Sequence, residues 1–413
     1  MIVEPFRALR PTRELAARIA SPPYDVLDSI EARAMAEGDE HTFLHVEKPE
    51  IDLDPGIDPH DTRVYERGRD NLGSMIVRGW LLRDERPGFY VYRLTEGEHA
   101  QTGIAGVVAV SDYVEDRIRK HEHTRPEKEL DRTRHIDTLS ADAGPILIAY
   151  RGLPELNALV TGVTGREPDA DFVAKDGVGH SIWVVDDPAT CAAIGSLFAR
   201  IPNTYIADGH HRAAAAARVA KLRRDAGPKP AGPQPSDYFL AVHFPARELR
   251  ILGYHRVVRD LNGLDVPSFL DRVRGAGFDV KERHRGKRAT RQGTLGMYVE
   301  GNWYLLTASP DIVPADDPVR SLDVSVLNER LLQGVLGTAD PRTDRRLDFV
   351  GGSRGTEELE RRVDSGESAV AFALYPTSLD DVMKVADAGG IMPPKSTWFD
   401  PKLRSGLVTH PLD

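Results

Sequence analysis

The stretch NTYIADGHHRAAAAARVAKL, residues 203–222, constrains the fold of this chain more than any other segment. Its first residues are typical of a strand, Gly209 permits a sharp turn, and the five alanines after Arg212 have the highest helix propensity. The segment therefore predicts a strand, a glycine turn and a helix in direct succession. Such a junction leaves the backbone N–H groups of the first helical turn without partners in the helix.

Three interpretations of this junction differ in what satisfies those N–H groups. A phosphate is favoured by the helix dipole, and Arg212 can bind phosphate in a fork that lysine cannot form. Asp208 would then bind Mg²⁺ or a substrate hydroxyl, or it would instead cap the helix. A zinc site is disfavoured, because the adjacent His210 and His211 point apart and the i, i+4 spacing is absent. On the residues alone, a phosphate site and a capped helix with exposed histidines remain open.

Composition limits the class of protein and its partners. A chain of 413 residues is too long for one compact core, so two or three domains are expected. Its formal net charge of −10 argues against bulk binding of nucleic acid. Cys191 is the only cysteine, which excludes intrachain disulfides and cysteine-based zinc sites. The sequence has neither an apolar run long enough to span a bilayer nor a signal peptide, so a cytoplasmic protein without a membrane partner is expected.

The hydrophobic pattern predicts a mixed α/β (α+β) protein with two domains. Residues 1–263 are expected to carry the phosphate loop on a mixed sheet, and residues 264–413 to form a smaller α+β domain that packs back on the site. Buried strands are predicted for GFYVYRLT, TGIAGVVAVSDY, GPILIAYR and HSIWVVDD, and a further strand for HTFLHVEKP. A hairpin with Gly301-Asn302 at its turn is predicted for TLGMYVEGNWYLLTA. The tail IMPPKSTWFDPKLRSGLVTHPLD contains aromatic and basic residues, so we expect it to be ordered and to return to the site.

Two further segments carry candidate site residues. In RKHEHTRPEKELDRTRH, residues 119–135, Glu122 lies among cations and would stay ionised, as a general base requires. A solvated, ion-paired helix is the usual fate of such a run, and spacing alone favours it. In GGIMPPKST, residues 389–397, Pro394 replaces the glycine that a phosphate-binding P-loop needs before its lysine. Lys395 and Ser396 could still line a site, or belong to a rigid terminal turn.

Two turn-like segments are less specific. SPPYDV, residues 21–26, holds Tyr24 and Asp25 in a proline-rich turn, where Tyr24 is more consistent with a buried anchor and Asp25 is a candidate for catalysis. DFVGGSRG predicts a tight turn near a ligand or another backbone, through Gly351 and Gly352. It does not meet the dinucleotide fingerprint G-x-G-x-x-G.

These segments together resemble a known family. PPYDV, HEHT, GPILIAYR, YIADGHHRAAAA, DPRTDRRLDFVGG and MPPKSTWFDPKLRSGLVTH occur in this order, as in the bacterial and archaeal family catalogued as domain of unknown function 1015. The DGHHR turn is also similar to the phosphate-binding segment of the ParB/sulfiredoxin-like superfamily. That superfamily includes partition-protein CTPases, sulfiredoxin and nucleotide-dependent kinases of free L-serine. The resemblance implies a ParB/sulfiredoxin-like phosphate-binding core.

The resemblance implies a function as well as a fold. Cys191 lies outside the motif, which argues against sulfiredoxin activity, and we see no helix-turn-helix of a partition protein. The expected function is that of a small-molecule kinase, which phosphorylates free L-serine to O-phosphoserine with ATP or ADP and Mg²⁺. The alternatives are a nucleotide-binding regulatory module with little turnover and a purely structural protein. The expected partners are a nucleotide and a hydroxyl acceptor, and a homodimer is compatible with the sequence.

The site residues expected from this resemblance fall into four roles. Phosphate would be held by Gly209, His210, His211 and Arg212, and the metal by Asp208. Asp208 would alternatively orient the acceptor. Glu122 is the expected general base, with Asp25 and Glu47 as rivals. The substrate carboxylate would be bound by Arg132 or Lys395, with Ser396 nearby.

Overall fold

The computed structural model of the protein describes residues 1–227, 232–283 and 289–413. The chain divides into two compact units, Met1–Leu249 with Pro401–Asp413, and Arg250–Asp400. This division lies earlier in the chain than the expected one between residues 263 and 264. The reason is that the strand Tyr254–Val258 pairs within the sheet of the second unit. The protein is mixed α/β, as the sequence predicted.

The first unit is built on a nine-stranded mixed sheet in the order β6-β11-β8-β12-β5-β4-β10-β9, with β1 beside β5. The strands of this unit are β1 (Val3–Glu4), β2 (Leu9–Pro11), β3 (Leu81–Arg83), β4 (Phe89–Glu96), β5 (His99–Ala109), β6 (Ile118–Arg119), β7 (Ala141–Asp142), β8 (Ile146–Tyr150), β9 (Ala170–Val173), β10 (Gly179–Val185), β11 (Thr204–Asp208), β12 (Tyr238–Pro245) and β21 (His410–Pro411). Of these, β2 pairs with β3 and β7 pairs with β21 in two separate two-stranded sheets. Its helices are α1 (Ala16–Ile19), α2 (Ser29–Ala36), α3 (Leu44–Glu47), α4 (Thr62–Val77), α5 (Val110–Val114), α6 (Pro126–Leu139), α7 (Pro154–Thr164), α8 (Pro188–Ala199) and α9 (His210–Asp225).

The alanine-rich helix α9 packs against the centre of this sheet. Ala213, Ala215 and Ala216 are buried in the same apolar cluster as Ile148 of β8 and Ile206 of β11. Their small side chains allow the helix backbone to approach the sheet closely, while the buried apolar surface stabilises the packing. The predicted succession of strand, glycine turn and helix is therefore confirmed.

The predicted strand in HTFLHVEKP is wrong, because this segment forms the short helix α3. Phe43 and Val46, three residues apart, both enter a cluster with Leu72 and Leu139, whereas Leu44 enters a separate cluster. A strand would place residues three apart on opposite faces, so tertiary packing has overridden the local pattern. One consequence is that Glu47, the last residue of α3, is buried.

The second unit is built on a six-stranded antiparallel sheet in the order β15-β17-β16-β19-β14-β18. Its strands are β13 (Ile251–Leu252), β14 (Tyr254–Val258), β15 (Phe278–Arg283), β16 (Thr294–Val299), β17 (Asn302–Ala308), β18 (Leu347–Gly351), β19 (Val370–Leu374) and β20 (Trp398–Phe399), with β13 paired to β20. Its helices are α10 (Val266–Gly275), α11 (Asp323–Leu327), which continues as a π-helix (Asn328–Gln333), α12 (Glu357–Asp364) and α13 (Leu379–Asp387).

Two glycine features of the second unit differ in detail from the sequence predictions. The predicted hairpin forms between β16 and β17, but its turn residues with positive φ are Glu300 and Gly301. A β-carbon on Gly351 would lie 2.7 Å from the ring of Trp398, and one on Gly352 would lie 2.5 Å from a backbone carbonyl. These two glycines therefore permit close packing of an aromatic ring and a neighbouring backbone.

A buried histidine in the first sheet predicts acid sensitivity. His243 lies in β12 with its ring centroid 4.9 Å from that of Phe198, and burial lowers its pKa from 6.5 to about 4. Below about pH 6.5 the unfolded chain binds a proton that the folded chain does not, so this contribution to stability is lost as the pH falls. Between about pH 7.5 and about pH 5 we expect the free energy of unfolding of His243→Leu to fall by about 2 kcal/mol less than that of the wild type.

Urea unfolding at the two pH values measures this difference. His123→Leu, the same substitution at an exposed histidine, is the matched control for the change of side chain. Equal losses of stability in wild type and His243→Leu would contradict the prediction.

Candidate functional site

The junction of β11 and α9 is a helix N-terminus that begins at a glycine. Gly209 occupies the N-cap position with φ of 98° and has no side chain that could accept a capping hydrogen bond, and the role of Asp208 stays a prediction. A β-carbon at Gly209 would also lie 3.1 Å from Arg212 Nε. Glycine is therefore required here both for its left-handed backbone and for the space that it leaves to the guanidinium.

Arg212 is a buried cation that faces several carboxylates. Only 7% of the residue is exposed, Nη1 donates to the carbonyl of Pro145 at 2.6 Å, and Nη2 lies 3.6 Å from Asp208 Oδ2. Burial alone would lower the pKa of Arg212, but the nearby Asp25 and Asp208 outweigh burial and raise it. Arg212 therefore stays charged, and within the described chain its Nε has no hydrogen-bond partner.

The two histidines of the motif differ from each other. His210 is buried and packs edge-on against His121, with ring centroids 4.5 Å apart. Burial and the neighbouring His121, His211 and Lys120 lower the pKa of His210 well below its usual value. His210 is thus neutral at physiological pH, and its role in holding phosphate stays a prediction. His211 Nε2 accepts a hydrogen bond from the backbone N–H of Arg125 at 3.1 Å.

Strand pairing brings the segment of Glu122 to the same edge of the sheet as the loop. β6 and β11 are parallel, with Ile118 opposite Thr204 and Arg119 opposite Tyr205, so the residues that follow both strands leave the sheet together. Burial lowers the pKa of His121 to about 4, and the charge of Asp208 partly opposes this shift. Glu122 therefore directly follows a histidine whose pKa is affected by the charge of Asp208. The role of Glu122 as general base stays a prediction.

Lys402 of the tail belongs to this site and was missed by the sequence analysis. Its Nζ lies 3.5 Å from Asp208 Oδ2, the same oxygen that faces Arg212. The tail reaches this position because Ser405 forms a β-bridge with Ser21, and β21 pairs with β7. Residues 401–413 of the tail thus belong to the first unit, with Lys402 beside Asp208, while the return of the tail to a functional site stays a prediction. The sequence signal that could have indicated Lys402 is its position as the basic residue after the aromatic pair in TWFDPK.

A small, partly open recess lies beside Arg212. It is lined by Tyr24, Glu47, Arg132, His135, Ile136, Asp142, Ala143, Gly144, Ile146, Arg212 and Leu240. Within it, Arg132 Nη1 lies 3.7 Å from Glu47 Oε2, Arg132 Nη2 lies 2.9 Å from Asp131 Oδ2, and the guanidinium carbon is 4.1 Å above the ring of Tyr24. Since Arg132 and Asp131 are buried, the interpretation of this segment as a wholly solvated, ion-paired helix is wrong for the inner face of α6.

The remaining candidates lie around the recess or in the other unit. Tyr24 is partly buried at the recess, and burial of its phenol raises its pKa. Asp25 is exposed, and its charge acts on Arg212. Lys395 and Ser396 belong to the second unit, where Lys395 Nζ lies 5.6 Å from the ring centroid of Tyr254. Their participation in the site of Arg212 stays a prediction.

The donor set at Asp208 decides what kind of metal site is feasible. Among the residues that the structure describes, no group of three or more histidine, cysteine, aspartate or glutamate side chains could enclose a metal ion. Mg²⁺ is commonly held by one or two carboxylates together with substrate phosphates and water. Asp208 fits that arrangement, but an all-protein metal cage is not present in the described residues.

None of the described helices is both long enough and apolar enough to cross a bilayer. The cytoplasmic location and the homodimer stay predictions.

The sequence matches the family model described as "Protein of unknown function (DUF1015)" over residues 3–325, so the chain belongs to this family. No curated protein matches the sequence significantly.

Solved structures show only distant similarity. A free serine kinase in complex with AMP is 14% identical with a TM-score of 0.33, and covers 72% of this chain and 90% of its own. A conserved hypothetical protein from Pyrococcus furiosus is 14% identical with a TM-score of 0.34, over 72% and 92% of the two chains. SbnI from Staphylococcus aureus, truncated at its C-terminus, is 11% identical with a TM-score of 0.38, over 74% and 86%. These similarities are too low to assign an activity to this chain.

Proposed function

We propose that the protein transfers a phosphoryl group from ATP or ADP to the hydroxyl of a small acceptor, with free L-serine as the first acceptor to test. The observation that carries this proposal is the convergence of Arg212 and Lys402 on Asp208 at the helix N-terminus that begins at Gly209. Phosphoryl transfer depends mainly on positioning and on cations placed around the phosphate oxygens. The start of α9 would position the phosphates, and Arg212 and Lys402 would be the cations around them.

Each group at the loop then has a definite task. The N–H groups at the start of α9 and the side chains of Arg212 and Lys402 would bind the nucleotide phosphates. Asp208 would hold Mg²⁺, which neutralises charge on the phosphate oxygens when it is bound. His210, being neutral and buried, would support the loop by packing on His121.

Three carboxylates compete for the role of general base, and their positions separate them. Glu122 follows β6 at the edge of the loop, Asp25 is exposed near Arg212, and Glu47 is buried in the recess beside Arg132. A general base contributes roughly 10²- to 10⁴-fold to the rate. Among Glu122→Gln, Asp25→Asn and Glu47→Gln, the variant of the true base should lose about this factor in kcat and still bind nucleotide.

The proposal is tested with the purified full-length chain, Mg²⁺, serine and either ATP or ADP, with O-phosphoserine as the product measured. Formation of O-phosphoserine with one of the donors is the expected result. Tight binding of nucleotide without turnover of serine or other hydroxyl acceptors would instead identify a regulatory module. Failure to bind either nucleotide would overturn both assignments.

A further inference from the structure

The segment that carries Glu122 connects β6 to α6 and has an irregular backbone over residues 120–125. Such a connection has no hydrogen-bond ladder of its own to fix its position. A carboxylate on it can take part in a reaction only if neighbouring groups hold the connection closely in place. The structure shows that two adjacent residues of α9 hold it, one at each side of Glu122.

His211 holds the far end of the connection. Arg125 is the N-cap of α6, and its side chain can only donate hydrogen bonds, so it cannot cap the helix. A capping box would place glutamate or glutamine at the third helical position to accept from the N-cap N–H, but that position is Lys128. His211 Nε2, from the first turn of α9, accepts this hydrogen bond instead, at 3.1 Å. A nitrogen that accepts carries no proton, so His211 is neutral in this arrangement.

His210 holds the near end of the connection. The ring of His121 packs edge-on against the ring of His210 with centroids 4.5 Å apart, and both residues are buried. Neighbouring residues on a helix diverge by about 100°, so the two histidines of α9 reach different points. One contacts His121 and the other contacts Arg125, and Glu122 lies between these two contacts.

We propose that His211 is a positioning residue, which fixes the connection that carries Glu122 against the start of α9, and that it is not a ligand of the phosphate. This inference rests on the proposed function and deepens it, because it assigns the second histidine of the motif to the placement of the general base. The pairing of β6 with β11 sets where the connection begins, and the hydrogen bond to His211 sets where it ends.

Two substitutions of His211 test the role of its acceptor nitrogen. Glutamine Oε1 is as far along the side chain as histidine Nε2, whereas asparagine Oδ1 corresponds to Nδ1 and stops short of Arg125. We expect His211→Asn to lower kcat for serine roughly tenfold to hundredfold, and His211→Gln, the matched control, to retain kcat within about threefold. The melting temperature should stay nearly unchanged, because His211 is only partly buried and water can replace the lost hydrogen bond.

The affinity for ADP separates positioning from phosphate binding. Calorimetry should give a Kd within about twofold of the wild type for both variants, since the N–H groups of α9 and Arg212 are unchanged. A Kd that rises at least about tenfold in both variants, with kcat unchanged, would make His211 a phosphate ligand and overturn the inference.

A double variant tests whether His211 acts through Glu122. In the Glu122→Gln background, His211→Asn should lower kcat by less than about threefold, because the group that it positions has already been removed. A further loss as large as in the wild type would overturn the inference. So would a Glu122→Gln variant with the kcat of the wild type, and in both cases the kinase proposal stands.

Hydrogen exchange of the Arg125 amide separates failure of the inference from failure of the kinase. This amide should exchange roughly threefold to tenfold faster in His211→Asn than in the wild type or in His211→Gln. If that difference is found and the wild type forms no O-phosphoserine, the hold of His211 on the connection is supported and the kinase assignment is overturned. Equal exchange in all three proteins overturns the inference, whatever their activity.

Discussion

Arg212→Ala is expected to weaken nucleotide binding by roughly hundredfold or more. The guanidinium can form two charge-assisted hydrogen bonds to a phosphate, each worth about 1.5–3 kcal/mol, and about 1.4 kcal/mol corresponds to a factor of ten in affinity. The side chain of Arg212 is 9% exposed against 17% for Lys402, so water screens its interaction with a phosphate less. Titration calorimetry with ADP measures the effect.

The same substitution will also affect stability, because Arg212 is part of the folded core. It removes the hydrogen bond to Pro145 and the positive charge that faces Asp25 and Asp208, which we expect to cost about 1–3 kcal/mol in the free energy of unfolding. Binding must therefore be measured well below the melting temperature of the variant. Arg212→Lys retains the charge but not the fork, and should show intermediate affinity.

Arg218→Ala is the matched control for Arg212. Arg218 lies on the same helix and pairs with Glu129 at 3.6 Å, but 47% of its side chain is exposed. Its loss should leave nucleotide affinity within about twofold of the wild type, because exposed ion pairs contribute little. Nucleotide affinity that survives Arg212→Ala would exclude the loop as the phosphate site.

Lys402→Met is expected to lower kcat/KM roughly 10²- to 10³-fold. Lys402 Nζ approaches the same carboxylate oxygen as Arg212, and a positioned donor to a developing charge contributes about this factor. Methionine retains most of the aliphatic stem, so the free energy of unfolding should fall by less than about 1 kcal/mol. Steady-state kinetics with the active nucleotide, together with thermal melting, measure both effects.

A control for Lys402 is available on α9. Lys221 is exposed and pairs with Asp225 at 2.6 Å, so Lys221→Met should leave the kinetics unchanged. Equal kinetics for Lys402→Met and wild type would show that Lys402 only neutralises Asp208 in the resting protein.

Local signals were sufficient to predict the elements on either side of the turn at Gly209. The alternation of a strand and the backbone preferences of glycine and alanine act over a few neighbouring residues. The sequence could therefore predict the strand β11, the turn at Gly209 and the helix α9. The hairpin of β16 and β17 followed from the same kind of short-range signal.

Long-range packing decided what local signals could not. The segment around Phe43 resembles a strand in sequence, yet it forms helix α3 because Phe43 and Val46 both contact a cluster that includes Leu139. Arg132 lies in a charged run that would normally be solvated, but it is buried between Tyr24 and Glu47. No window of neighbouring residues contains these partners, so sequence periodicity could not reveal them.

The sequence by itself determined the strand, the glycine turn and the helix that expose N–H groups and Arg212 at one point. Only the tertiary structure decided which distant residues meet there. Lys402 reaches Asp208, from 194 residues away, because the tail pairs with the first unit, and the same pairing brings Ser405 beside Gly144. Helix and turn formation depend on nearest neighbours, whereas the composition of the recess depends on burial and pairing across the whole chain.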